Sequence, residues 1–185
     1  MVEDLLRDAE HRMQRAVEVL EEDLKRIRTG RATPALVEKI TIDYYGVPTP
    51  LIQLAAITVP EPRQINIKPF DPKTIPAIER AILTSDLGLT PNNDGSTIRL
   101  FLPPLTEERR QELVRVVHKR VEQARIAIRN VRRDVLKDLR EMEDEKMISE
   151  DERRRAEDKL QKLTETYIEK ANKAGELKER EIMER

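Results

Sequence analysis

Arg125, Arg129, Arg132 and Arg140 follow one another at steps of four, three and eight residues, which on a helix turning about 100° per residue keeps them in one sector of the surface. A guanidinium presents a planar fork of donors that grips phosphate oxygens two at a time, so such a row can track an RNA or DNA backbone. Between Arg125 and Arg140 no acid interrupts this sector, and the wheel sets it roughly opposite an apolar stripe. The surrounding charge agrees: residues 106–140 hold eleven Lys or Arg against six acids, whereas 141–185 hold eleven against fifteen. A plainer reading competes with this one. A long helix needs a charged outer face whatever its role, and Asp134 and Asp138 would partly pair with neighbouring cations.

Few other residues offer chemistry. The chain has no Cys, which excludes thiolate nucleophiles, zinc-cysteine sites and disulfides. Its two histidines, His11 and His118, stand in no HExxH pattern and beside no carboxylate cluster with ligand spacing, so no metal site is expected. There is no GxSxG, GxxxxGK[ST] or GxGxxG motif, and no Ser with a positioned His. The acidic runs Glu21-Glu22-Asp23 and Glu143-Asp144-Glu145 read as helix surface and loop. No catalytic residue and no cofactor is therefore expected. With 35 basic against 36 acidic residues the chain is no bulk polyanion binder, and any nucleic-acid contact must be local. Tyr44, Tyr45, Phe70 and Phe101 lack the spacing of a base-stacking platform. Strand alternation at Tyr44-Tyr45-Gly46 would turn one ring inward and one outward, leaving Tyr45 as a possible contact residue, although structural use fits these rings better.

The elements that must carry these residues divide the chain by composition. All eleven prolines lie between Pro34 and Pro104, and four of the five glycines between Gly30 and Gly95. Residues 30–105 carry only fourteen charges, seven of each sign, while just over half of the remaining residues are charged. Apolar residues at Leu5, Ala9, Met13, Ala16, Leu20, Leu24 and Ile27 predict one amphipathic helix that stops at Thr29-Gly30. After Pro103-Pro104, Thr106 is placed to cap a second long helix, with Glu107 and Glu108 in its first turn. The stripe of that helix is Leu113, Val117, Val121, Ala124, Ile128, Val131, Val135, Leu139 and Met142. Ser149 with Glu152 has capping-box spacing and predicts a third helix from Glu150. Its stripe is Ala156, Leu160, Leu163, Tyr167, Ala171 and Ala174, with Gly175 a weak point near the end. Three long helices connecting down and back predict an antiparallel bundle.

The centre alternates with the other period. Ile40, Ile42 and Tyr44 predict a strand ended by Gly46, and Ile57 with Val59, Ile65 with Ile67, and Ile98, Leu100 and Leu102 predict three more. A short helix in IPAIERAILTSDLGL closes around Gly88, and Asn93-Asp94-Gly95 forms a turn. The expected fold class is α+β, in two domains: a bundle from 1–29 and 106–185, and an inserted β/α/β domain at 31–104. Two connections at one end of the bundle predict a bent body with a hinge at 29–31 and 103–105. The acidic N-terminus lacks the basic and apolar regions of a signal peptide, and no apolar run approaches the ~18 residues of a membrane span. A soluble cytoplasmic protein, without membrane contact, is the expectation.

The order of the pieces carries a resemblance. A helix ending in RTGRATPALVEKITIDYYGVPTPLIQLA, a central SDLGLTPNNDG, and PPLTEERRQELV running into ARIAIRNVRRDVLKDL resemble the bacterial ribosome recycling factor family over essentially the whole chain. The resemblance implies a three-helix bundle and a β/α/β domain on a hinge, an L-shaped body with the outline of a tRNA. It also implies a monomer that binds the post-termination ribosome between its subunits. With elongation factor G, and GTP hydrolysed by that partner, such a factor splits the ribosome for reuse. On this resemblance Arg129 and Arg132, with Arg133 beside them, would hold large-subunit ribosomal RNA; Arg125 joins them as an RNA-binding candidate by its place in the row. Thr29, Gly30 and Arg31 on one connection and Pro103, Pro104 and Leu105 on the other would form the hinge. The residues alone equally describe a helical adaptor that scaffolds other proteins.

Overall fold

The computed structural model describes residues 1–184. The chain forms two compact units, one built from Met1–Arg28 and the chain from Thr106 onward, the other from Thr29–Leu105.

The first unit is a bundle of three helices, α1 (Val2–Lys25), α4 (Glu107–Asp144) and α5 (Glu150–Met183). Each helix packs on both others. Arg12 on α1 meets Asp134 on α4, while Leu20 and Asp23 share a groove with Arg120 and Ala124, so α1 and α4 run antiparallel. The turn Glu145–Ser149 reverses α4 into α5. Local chemistry sets the helix ends. Thr106 Oγ1 accepts the Arg109 N–H at 3.1 Å. Ser149 and Glu152 exchange the two bonds of a capping box, satisfying donors that a helix start otherwise leaves bare.

The sequence placed α1's end too late. The helix stops at Lys25 because the Arg26 N–H turns to the carbonyl of Asp23 and the Ile27 N–H to that of Leu24, tightening the last turn. Gly30, at φ +79°, lies beyond this turn in non-helical chain. Its missing Cβ is used elsewhere: a methyl there would stand 3.2 Å from Leu105 Cγ, so the two connections touch.

The core of the bundle is Ala9, Met13, Val17, Leu20 and Leu24 of α1, the expected stripe of α4 from Leu113 to Leu139, and Ala156, Leu160, Thr164, Tyr167, Ala171 and Gly175 of α5. Three expected positions shift by one residue. Val17 is buried where Ala16 was expected, and Thr164 and Gly175 where Leu163 and Ala174 were, the expected residues lying half-buried beside them. Thr164 tolerates burial because its hydroxyl donates to the Leu160 carbonyl at 2.8 Å. Gly175 is a close-approach position rather than a weak point, since a Cβ there would fall 2.5 Å from Val121 Cγ2. Glycine's cost in helix propensity is offset by letting α4 and α5 meet there.

The second unit pairs a hairpin with a four-stranded sheet. Strands β1 (Thr41–Tyr44) and β2 (Val47–Pro50) are antiparallel, preceded by the helical turn α2 (Ala35–Glu38). The sheet runs β3-β4-β6-β5, all antiparallel, from β3 (Ala55–Glu61), β4 (Gln64–Pro69), β5 (Asn92–Asn93) and β6 (Ile98–Phe101). Its inner face, Ile65, Ile67, Ile98 and Leu100, is fully buried with Ile42 of the hairpin and Ile78 and Ile82 of α3 (Ile75–Thr84). The alternate residues Lys68 and Phe101 face solvent, as period-two alternation requires. Helix α3 ends at Thr84, well before Gly88, and the capping residue Ser85 donates through Oγ to the Ile82 carbonyl. Gly46 does not simply end a strand; it turns the chain back into β2, which the sequence did not disclose.

Candidate nucleic-acid interface

The arginine row lies on α4, whose 38 residues extend about 57 Å at 1.5 Å per residue. Burial shows that the row does not stand squarely opposite the apolar stripe. Arg125 and Arg132 are half-buried, whereas Arg129, Arg133 and Arg140 are exposed. The wheel explains the split: Arg125 and Arg132 sit roughly 80° and 60° from the stripe's centre, on its shoulder, and Arg129 and Arg133 roughly 120° and 160° away.

Carboxylates engage both ends of the row, contrary to an uninterrupted cationic face. Arg125 donates through Nε to Asn172 Oδ1 of α5 at 2.8 Å and through a terminal nitrogen to Glu122 at 2.9 Å. The other oxygen of Glu122 stands 3.7 Å from Arg129. At the far end Arg140 approaches Glu157 of α5 at 3.9 Å. Glu157 also holds Arg153 at 3.0 Å, and Arg153 bonds Glu143 as well. Glu157 first and Glu143 second raise the pKa of that guanidinium above its ordinary value.

The middle of the row is different. Among the described residues, no carboxylate pairs with Arg132, Arg133 or Lys137. With Arg129 and Asn130 they border one open concavity along α4. Asp134, one residue on, turns to α1 and pairs with Arg12 at 3.1 Å, so the expected pairing of Asp134 does occur but draws the acid off this face. Asp138 makes no ion pair among the described residues. The free surface is thus a cluster of three cations around Arg133, flanked by a partly engaged Arg129. Donors not committed to a carboxylate suit a phosphate backbone that supplies its own geometry. Lys137 was not singled out from the sequence, although its place four residues after Arg133 sets it on the same face.

Of the other sequence-selected residues, Thr29, Gly30, Arg31, Pro103, Pro104 and Leu105 all fall in the second unit at its two ends. Arg31 is exposed and Leu105 half-buried against Gly30. His11 lines a groove between α1 and α4, and His118 Nε2 lies 3.2 Å from Glu179. Among the described residues, no group of His, Asp and Glu is disposed to hold a metal ion. No described helix is long and apolar enough to cross a membrane. Tyr45 is 81 % exposed, yet a turn rather than strand alternation puts it there.

Fold and site together define an α+β protein of two units, a three-helix bundle with a cationic face on its longest helix and an inserted sheet unit. The family model of the ribosome recycling factor matches residues 20–183. Ribosome-recycling factors of Roseiflexus castenholzii and Carboxydothermus hydrogenoformans are 55 % and 52 % identical, over 100 % and 99 % of both chains respectively. The chain belongs to the ribosome recycling factor family. A solution structure of the ribosome recycling factor, 49 % identical, superposes with a TM-score of 0.71 over 98 % of this chain and 97 % of that one. A second solved structure, of the T. thermophilus ribosome recycling factor and the E. coli elongation factor G bound to the E. coli post-termination complex, matches with a TM-score of 0.61 at 45 % identity, over 99 % of each chain.

Proposed function

We propose that this chain recycles ribosomes in the cytoplasm: it binds the post-termination ribosome as a monomer and, with elongation factor G, dissociates it into subunits, releasing mRNA and tRNA. The observation that carries this reading is end-to-end identity of 55 % to a ribosome-recycling factor, with no unit of either chain left over. The chain is no enzyme in this scheme; GTP is hydrolysed by elongation factor G.

In this reading α4 holds large-subunit ribosomal RNA at the subunit interface. Arg129, Arg132 and Arg133 reach phosphates, and among the described residues no ion pair holds Arg132 or Arg133, although Glu141 and Asp144 line the same concavity. Arg125 contributes less directly, because its guanidinium is already committed to Asn172 and Glu122. The connections at 29–31 and 103–105 act as the hinge on which the inserted domain, 31–104, moves relative to the bundle of 1–29 and 106–185. Gly30, in a left-handed conformation most residues avoid, supports a specialised connection there.

The test is a subunit-splitting assay on post-termination complexes, with and without elongation factor G and GTP. The chain should split ribosomes only when all are present, and should co-sediment with ribosomes at modest salt without them. A protein scaffold would fail both measurements.

A further inference from the structure

Three of the arginines on or just after α1 find carboxylates close in sequence: Arg7 pairs with Asp4, Arg15 with Glu18 and Glu22, and Arg26 with Asp23. Arg12 does otherwise. Asp8 lies one turn before it, a spacing that favours a pair along a helix, yet the Arg12 guanidinium crosses to α4 and donates to Asp134 Oδ2 at 3.1 Å. Both side chains are about half exposed, 43 % and 50 %, so the pair adds little to the stability of the bundle. Its position matters more than its strength.

From Gln123 to Lys137 the only acid on α4 is Asp134, in a stretch that carries Arg125, Arg129, Arg132, Arg133 and Lys137. Asp138, Glu141 and Asp144 all follow Lys137. On the wheel Asp134 stands about 60° from Lys137, three residues on, the spacing at which a carboxylate and an ammonium meet along a helix. Left to α4 alone, its carboxylate would engage Lys137 and set a negative charge at the edge of the concavity that Arg132, Arg133 and Lys137 border. Arg12 prevents both, because it turns the carboxylate toward α1 and offsets its charge. Arg12 does not itself border that concavity; it lines the neighbouring groove between α1 and α4, and Asn130 borders both.

We propose that Arg12 is a positioning residue for RNA binding: it touches no phosphate, but it ties Asp134 back to α1 so that Arg133 and Lys137 stay free for the ribosomal RNA backbone. The inference rests on the RNA-binding reading of α4 above and adds to it a residue on another helix. It carries an asymmetry that a merely structural ion pair would lack. Breaking the pair from the α1 side leaves an uncompensated carboxylate among the cations. Breaking it from the α4 side removes that carboxylate.

Co-sedimentation of the full chain with ribosomes across a salt series tests it. Arg12→Gln should flatten the log-log slope by about 0.9, the effect of withdrawing one cation from the phosphates, which over the tenfold from 1 M to 0.1 M salt is about eightfold weaker binding. Asp134→Asn should bind at least as tightly as the parent. Arg12→Gln/Asp134→Asn should regain the parent's affinity and slope. All three should melt as the parent does, because the pair is exposed. Parental binding by Arg12→Gln would overturn the proposal. So would a double variant as weak as Arg12→Gln, since Arg12 would then meet the RNA itself. An Asp134→Asn as weak as Arg12→Gln would overturn it too, leaving the pair only to hold the helices together. If the parent does not bind ribosomes, or Arg132→Ala/Arg133→Ala leaves binding and slope unchanged, it is the RNA-binding reading of α4 that falls instead.

Discussion

Removing Arg132 and Arg133 together should change how ribosome binding responds to salt, and removing Arg125 should not. Each phosphate contact releases condensed counterions and adds about 0.9 to the log-log slope of affinity against salt. Two free guanidiniums lost should therefore flatten the slope by about 1.8. Over a fourfold rise in salt that is a factor of 4 to the power 1.8, so the parent should lose about twelvefold more affinity than Arg132→Ala/Arg133→Ala. The double variant should keep its melting temperature, since surface changes of this kind stay within about 0.5 kcal/mol. Arg125→Ala should do the reverse. It breaks the 2.8 Å bond to Asn172 and the pair with Glu122, costing about 1 kcal/mol of stability, while the slope holds. Sedimentation or filter binding at five or six salt concentrations, with thermal melts alongside, reads both quantities. Equal flattening by Arg125→Ala would refute the division of the row into engaged and free arginines. An unchanged slope in the double variant would remove the row from the interface.

Two further outcomes follow from single positions. Gly175→Ala gains about 1 kcal/mol in helix propensity but drives a Cβ to 2.5 Å from Val121 Cγ2, an overpacking cost of about 1–3 kcal/mol; urea melts should show a net loss of about 1 kcal/mol that disappears in a Val121→Ala background, and a net gain in the parent would contradict the close approach. Asp94 accepts the backbone N–H groups of Ser96 and Thr97 and the Ser96 hydroxyl, and lies beside Arg99, which together hold its pKa at about 2 against an ordinary 3.8. Its stabilising contribution is therefore complete above pH 3.8 and fades as the pH falls toward about 2, so Asp94→Asn should flatten the acid limb of the stability profile, and the parent's carboxyl carbon should titrate by NMR near that lower value.

What the sequence disclosed and what it hid follow the range of the forces involved. The α4 stripe from Leu113 to Leu139, the Thr106 cap and the Ser149–Glu152 box were legible because helical periodicity and capping act within four residues. The alternating strands of the second unit were legible for the same reason. Gly175 was misread because the residue that explains it, Val121, is 54 positions away in sequence and meets it only across the bundle. The partner of Arg125 was hidden likewise: Asn172 lies on another helix, and nothing local says that this arginine bonds there. The end of α1 was missed because a tightened last turn needs no glycine. Tyr45 was noticed but given the wrong cause, since the pairing of Tyr44 with Val47 depends on a second strand that the prolines at 48 and 50 disguise.

That the bundle is assembled from the two ends of the chain bears on how it is made. Helix α1 leaves the exit tunnel first, carrying Met13, Val17, Leu20 and Leu24 with nothing to cover them. Its partners are complete only when α5 ends at Met183, which at roughly 5–20 residues per second leaves the stripe waiting on the order of ten to thirty seconds. In that interval the second unit can close on its own buried cluster, since every residue of that core lies between Ala32 and Leu102. The α4–α5 hairpin can then form from neighbouring sequence, and α1 joins last. Each newly made chain thus spends its youth as a folded bead behind a loose amphipathic thread, and the charged residues around that thread keep it in solution until the other two helices arrive.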